Sequence, residues 1–242
     1  TSVSREWHAA TNGGAIAGAN EVVDRLPVLA NVDEKTEHPL EELRDFTLQF
    51  AKAAWRRPLT EAEQERLKSL FFQEDSDPEV ATKRAILFVL KSPYFLYSDL
   101  TSNDESPHSH VVAARLAMAI WDSIPDKTLM EAAEKDELNA QQVRMHAKRM
   151  LKDDRARAKL NGFFHHWLEF GERDRVKDQN RYADFGDAVM ADLRRSLELF
   201  LDEVVWSDAS DYRQLLLADY LLLNEGLKKL YLTDDAVESA DD

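Results

Sequence analysis

A chain of 242 residues can hold one large or two small domains, with a core that needs neither disulfides nor a structural metal. Cysteine is absent, which excludes disulfide staples, Cys-ligated zinc, iron–sulfur clusters, cysteine nucleophiles and haem attached through a C-x-x-C-H motif. Acidic residues outnumber basic ones by 46 to 31, which argues against nucleic acid or an anionic membrane as partner, and seven Gly with seven Pro favour long helices over an all-β fold.

Residues 1–41 combine Gly13, Gly14 and Gly18 with two prolines and an acidic stretch around Asp33 to Glu37, and they read as an arm with at most one short helix. The first twenty residues lack a basic start followed by an apolar run, so no signal peptide is expected in this chain. The first residue is not Met, and the expectation is a processed product or an excised region of something longer. No apolar run reaches the roughly 18 residues a bilayer span requires.

From Glu42 the pattern becomes helical. Phe46, Phe50, Ala53 and Ala54 share one face of a helix that must end near Arg57, ahead of Pro58. Thr60 and Glu63 have the form of a capping box, with Leu67, Leu70 and Phe71 as the buried side of the helix that follows. Asp77 with Pro78 starts the next, faced by Val80, Ile86, Leu87 and Leu90 and stopped at Ser92-Pro93. These elements form a first helical subdomain over 42–100, and the polar stretch 101–109 with Pro107 reads as a linker.

A second helical subdomain spans 110–232, beginning with Val112, Leu116, Ala119 and Ile120. Asp126 and Asn139 mark two further helix starts. Leu160, Phe163, Phe164, Trp167 and Leu168 follow the full amphipathic spacing, with Gly171 placed to cap. Another stripe runs from Phe185 to Trp206 through Val189, Leu193, Leu197, Phe200, Leu201 and Val204. Phe163, Phe164, Trp167, Leu193, Leu197 and Phe200 are expected in the core. Leu215 to Leu223 reads as two buried turns joined by a bend at Asp219, and 233–242 as an acidic tail. The fold class is therefore all-α, a multi-helix bundle of two packed helical subdomains.

Five strings carry a resemblance: FAKAAWRRPLTEAEQERLKSLF from Phe50, AILFVLKSPYFLY from Ala85, RLAMAIWDSIPDKTLMEAA from Arg115, MLKDDRARAKLNGFFHHWLEF from Met150, and LELFLDEVVWSDASDYRQLLLADYLLLNEGLKKLY from Leu197. In this order they resemble the adjoining domains of unknown function numbered 1595 and 1592, found in large, typically planctomycete proteins that often also carry a cytochrome c domain. The resemblance covers roughly Glu42 to Leu232. It implies a helical module of a larger exported protein, periplasmic or at the cell surface, whose partners are neighbouring domains, a cytochrome c domain among them. The family has no established reaction, and no part of this chain corresponds to the haem-binding domain.

Candidate chemistry is sparse. His165 lies one turn before Glu169, with Glu172 on the same flank, a thin metal site weighed against a polar flank beside a Trp167 core. His108 and His110 could face one side of an extended loop, although exposed histidines are the commoner reading. Asp219, Tyr220, Asn224 and Glu225 interrupt a Leu-rich run, where Asp and Asn usually cap turns. Arg56 and Arg57 could bind an acidic ligand, but a helix C-terminus attracts cations anyway. Zinc-protease, nucleophile-elbow, phosphate-loop and di-iron templates are all missing. The five tryptophans could stack on sugars, with aromatic core as the plainer reading.

The leading expectation is a non-catalytic binding or scaffolding module that needs no cofactor. The alternative is an enzyme domain: a hydrolase acting on polysaccharide with Asp219 and Glu225 as acid and base, or part of a cytochrome-linked oxidoreductase.

Overall fold

The structure, a computed structural model, describes residues 4–32, 36–73, 75–97, 108–169 and 185–231. Most of the expected linker, the Gly171 cap, Glu172 and the acidic tail lie outside the described residues. Among the described residues there are thirteen helices and no strand. The chain divides into two compact units, Thr1–Ala156 and Arg157–Asp242.

The first unit is built around α5 (Pro78–Lys91), which packs against α1 (Arg5–Asp24), α3 (Pro39–Ala54), α4 (Glu61–Phe71) and α6 (Pro93–Leu96). The short α2 (Leu26–Leu29) follows α1. Local chemistry starts these helices where the spacing predicts. Thr60 and Glu63 form the full capping box of α4, and Asp77 accepts from the Val80 amide ahead of α5. Ala51, Ala54, Trp55, Leu67 and Val89 form the buried centre. Leu70 and Val80, expected on the buried side, are exposed.

The N-terminal arm is a correction. Instead of one short helix at most, α1 runs for 20 residues, and Ser4 caps it by accepting from the Trp7 amide. Its seam consists of small residues. Ala15 and Ala19 are buried, and a Cβ on Gly18 would lie 3.2 Å from Leu90 Cδ1. Packing by close approach leaves no stripe of large apolar residues, so hydrophobic periodicity missed it.

The same unit continues through α7 (His108–Trp121), α8 (Lys127–Glu134) and α9 (Ala140–Met150). Asp126 and Asn139 cap α8 and α9 by accepting backbone amides. The Trp121 indole donates to the Met150 carbonyl at 2.9 Å, and the Arg155 guanidinium stands 3.5 Å over its ring. Lys52 on α3 pairs with Glu134 on α8 at 2.5 Å, so residues on both sides of the expected linker share one compact unit. His108 to His110, expected in an extended loop, instead open α7, where Ser109 and His110 are buried.

In the second unit the remainder of α10 (Asp154–Trp167) meets α11 (Asp187–Trp206), followed by α12 (Gln214–Leu217) and α13 (Glu225–Tyr231). Phe164 packs with Leu201 and Val205, and Leu160, Leu168 and Leu197 extend that seam at four-residue spacing. A single facing helix covers one such ridge. Phe163 and Trp167, expected in the core, are therefore 54% and 58% exposed and stack on each other with centroids 5.8 Å apart. Leu193, Leu197 and Phe200 are half-buried rather than buried. Gly226 lets α13 approach α11, since a Cβ there would sit 2.9 Å from Asp192 Oδ2.

This geometry separates three aromatic residues that periodicity alone groups together. Phe164→Ala is expected to destabilise by about 3–5 kcal/mol in denaturant unfolding, whereas Phe163→Ala and Trp167→Ala should each stay within about 1 kcal/mol. Equal losses at all three positions would contradict the four-residue seam.

Candidate functional site

The closing motif does not form two buried turns. Helix α12 lasts one turn, and Ala218 leaves it in extended geometry, with ψ 132°. The chain then crosses to α13 without regular structure. Leu216, Leu217 and Leu221 are 91%, 69% and 61% exposed, which corrects the buried reading of this run. Phe200 on α11 meets Tyr220 edge-on at 5.8 Å. Burial, then the Glu203 carboxylate, push the Tyr220 hydroxyl above its ordinary value.

Between this segment and α11 lies an open groove of about 390 Å³. Leu193, Leu197 and Phe200 form its floor, and Leu215, Leu216 and Leu221 rise along it. An adjoining hollow of about 400 Å³ shares Ser196 and residues 221–223 and adds Leu199 and Leu227. The groove lining is mostly apolar, the character of a surface that receives another apolar surface, while the adjoining hollow also carries Asp192, Arg195 and Asn224. The Leu run is the sequence signal for this groove, and its apolar character alone does not distinguish a core from an exposed surface.

The candidate acid and base sit elsewhere on this unit. Asp219 is exposed, and Glu225 begins α13 paired with Lys228 at 2.8 Å, a bond that holds its carboxyl below the usual range. Neither lines the groove. The cap in the motif is Asn224, whose Oδ1 accepts from the Leu227 amide at 2.9 Å.

His165 Nε2 lies 3.6 Å from Glu198 Oε1 on α11, and Arg195 approaches the same carboxylate at 3.5 Å. Glu169 is exposed past the end of α10, where its own φ of 54° supplies the left-handed turn. Among the described residues, no three His, Asp or Glu side chains gather as a metal site would need. No described helix is long and apolar enough to cross a membrane.

In the first unit the paired arginines have separate structural tasks. Arg56, buried and at φ 59°, donates to the carbonyls of Tyr94 and Phe95 at 3.0 and 3.1 Å. Burial lowers its affinity for the proton. Arg57 grips Glu63 through two bonds of 2.9 and 2.7 Å and stacks 4.7 Å over Tyr94.

Two histidines are also buried here. His110 is held below its ordinary value of 6.5 by burial; Glu134 and Asp136 oppose that shift and Lys52 adds to it. Burial and then Arg149 lower His146, with Asp126 opposing.

A family model described as "Protein of unknown function (DUF1592)" matches residues 108–232, a little over half of the chain. A second, "Protein of unknown function (DUF1595)", matches residues 42–99. No curated protein and no solved structure matches.

Two outcomes follow from these placements. Asn224→Ala is expected to lose about 0.5–2 kcal/mol of stability, while Asp219→Ala stays within about 0.5 kcal/mol, measured by chemical denaturation. A larger loss at Asp219 would return the capping role to it. For the histidines, the unfolded chain takes up protons near pH 6.5 and the folded chain only at lower pH. Their contribution is complete above that value and is lost as pH falls from 6.5 towards the lower folded values. Melting temperatures should drop between neutrality and pH 5.5, and the drop should shrink in His110→Gln. An unchanged slope would contradict burial of the neutral ring.

Proposed function

This chain belongs to the family described as proteins of unknown function 1592 and carries the 1595 domain ahead of it, and we propose that it is a non-catalytic binding module of a larger exported protein. The observation that carries this reading is the exposure of Leu216 and Leu221 along a groove floored by α11, with Leu217 exposed between them in sequence. Full burial of a Leu side chain is worth about 1.5–3 kcal/mol, so these three forgo several kcal/mol when they face water. A partner that seats on them recovers that energy.

The occupant that fits is an apolar helix face of a neighbouring domain in the same polypeptide, a cytochrome c domain among the candidates. Leu193, Leu197 and Phe200 on α11 and the residues of 215–223 that line the groove offer apolar contacts of the kind an amphipathic helix face takes. Docking within one polypeptide also has a high effective concentration, so modest affinity suffices. The periplasm or cell surface is the proposed location, a reading that rests on the family resemblance.

The pair Leu216→Asp and Leu221→Asp tests this reading. Both side chains are mostly exposed, so the melting temperature of the chain alone should hold, while the full polypeptide with its neighbouring domains should melt lower than its parent. Unchanged melting of the full polypeptide would overturn the proposal. Sedimentation showing a dimer of the chain alone, dissolved by the same pair, would assign the groove to a second copy instead.

A further inference from the structure

The first unit holds a separate cavity of about 360 Å³ where α4, the end of α5 and the start of α6 meet. That volume lies within the range of small-ligand sites. Trp55 and Leu67, both buried, form its floor, and the half-buried rings of Phe88 and Tyr94 flank them. Two cations line the same opening. The Arg66 guanidinium stands 5.7 Å over the Phe88 ring, and Lys91 Nζ donates to Thr11 Oγ1 at 3.2 Å, which leaves two of its three protons available.

The one carboxylate in the lining, Glu63, is occupied. Arg57 holds both of its oxygens, and that bond keeps the carboxyl below its usual range. Among the described residues, Arg66 and Lys91 have no ion-pair partner. In a chain of net charge −15, the lining of this aromatic recess carries Arg66 and Lys91 against a single carboxylate already held by Arg57. Ser92, at the edge, accepts from the Tyr94 amide through Oγ and retains its own proton for a ligand oxygen.

We propose that this cavity binds a small organic carboxylate carried on a ring, with the ring against Phe88 and Tyr94 and the carboxylate between Arg66 and Lys91. Aromatic faces accept either the C–H face of a sugar or another aromatic ring, so a uronic acid unit of a polysaccharide and a free aromatic acid share the required chemistry. This site is independent of the groove on the second unit and stands whether or not that groove docks a helix.

Calorimetric titration of the whole chain with trigalacturonate, benzoate and neutral maltotriose tests the assignment. One carboxylate should bind saturably and more tightly than maltotriose. Binding should weaken with added salt and fall about tenfold in Arg66→Gln, the loss expected for a charge-assisted hydrogen bond. Arg66 is exposed, so the variant should keep the parent's melting temperature, and Lys91→Gln provides a second, independent loss. Preference for trigalacturonate identifies a sugar acid, and preference for benzoate an aromatic acid. Absence of binding by both carboxylates, equal affinity for maltotriose, or binding indifferent to Arg66→Gln would overturn the proposal.

Discussion

The second unit is governed by a shortage of partner surface. Its largest buried cluster is one seam, Phe164 against Leu201 and Val205, extended by residues four apart on α10 and α11, with Leu227 of α13 buried besides. Two facing ridges of this kind cover one stripe of each helix. Among the described residues of this unit, α10 and α11 are the two long helices, and Leu216, Leu217 and Leu221 after them stand exposed. Small units bury a smaller fraction of their surface, and here the deficit is concentrated in one place. The groove and the exposed leucines around it follow from that geometry.

The first unit solves the same problem differently. Helix α5 has neighbours on several sides, including α1, which comes close because Gly18 and two buried alanines face it. Buried polar groups there are mostly matched: Thr47 and Thr82 donate to carbonyls one turn back, and Trp55 and Trp121 donate to backbone carbonyls of other segments. Arg56 is a cation buried without a carboxylate and is tolerated because two carbonyl oxygens receive it.

Features that depend on a few neighbouring residues were legible in the sequence. The caps at Thr60, Asp77, Asp126 and Asn139 are set by short-range hydrogen bonds, and each is found where the spacing placed it. The all-α class and α11 were equally readable. Features that depend on how many helices meet a face were not. Phe163, Phe164 and Trp167 obey the same periodicity, yet the single partner ridge buries only Phe164. Helix α1 was hidden for the opposite reason, since small residues at a tight crossing lack the stripe that periodicity detects. In the closing motif, Asp219 and Asn224 looked equivalent, and only the path of the chain selects Asn224 as the cap.

We propose that the exposed leucines of this run, Leu216, Leu217 and Leu221, meet water in this chain and a neighbouring domain in the full polypeptide. Hydrogen–deuterium exchange compares these two states directly. The account predicts fast exchange of peptides covering Tyr212 to Leu223 in the chain alone and strong protection of the same peptides in the full polypeptide, with α5 unchanged between the two. Identical exchange of that run in both would contradict it.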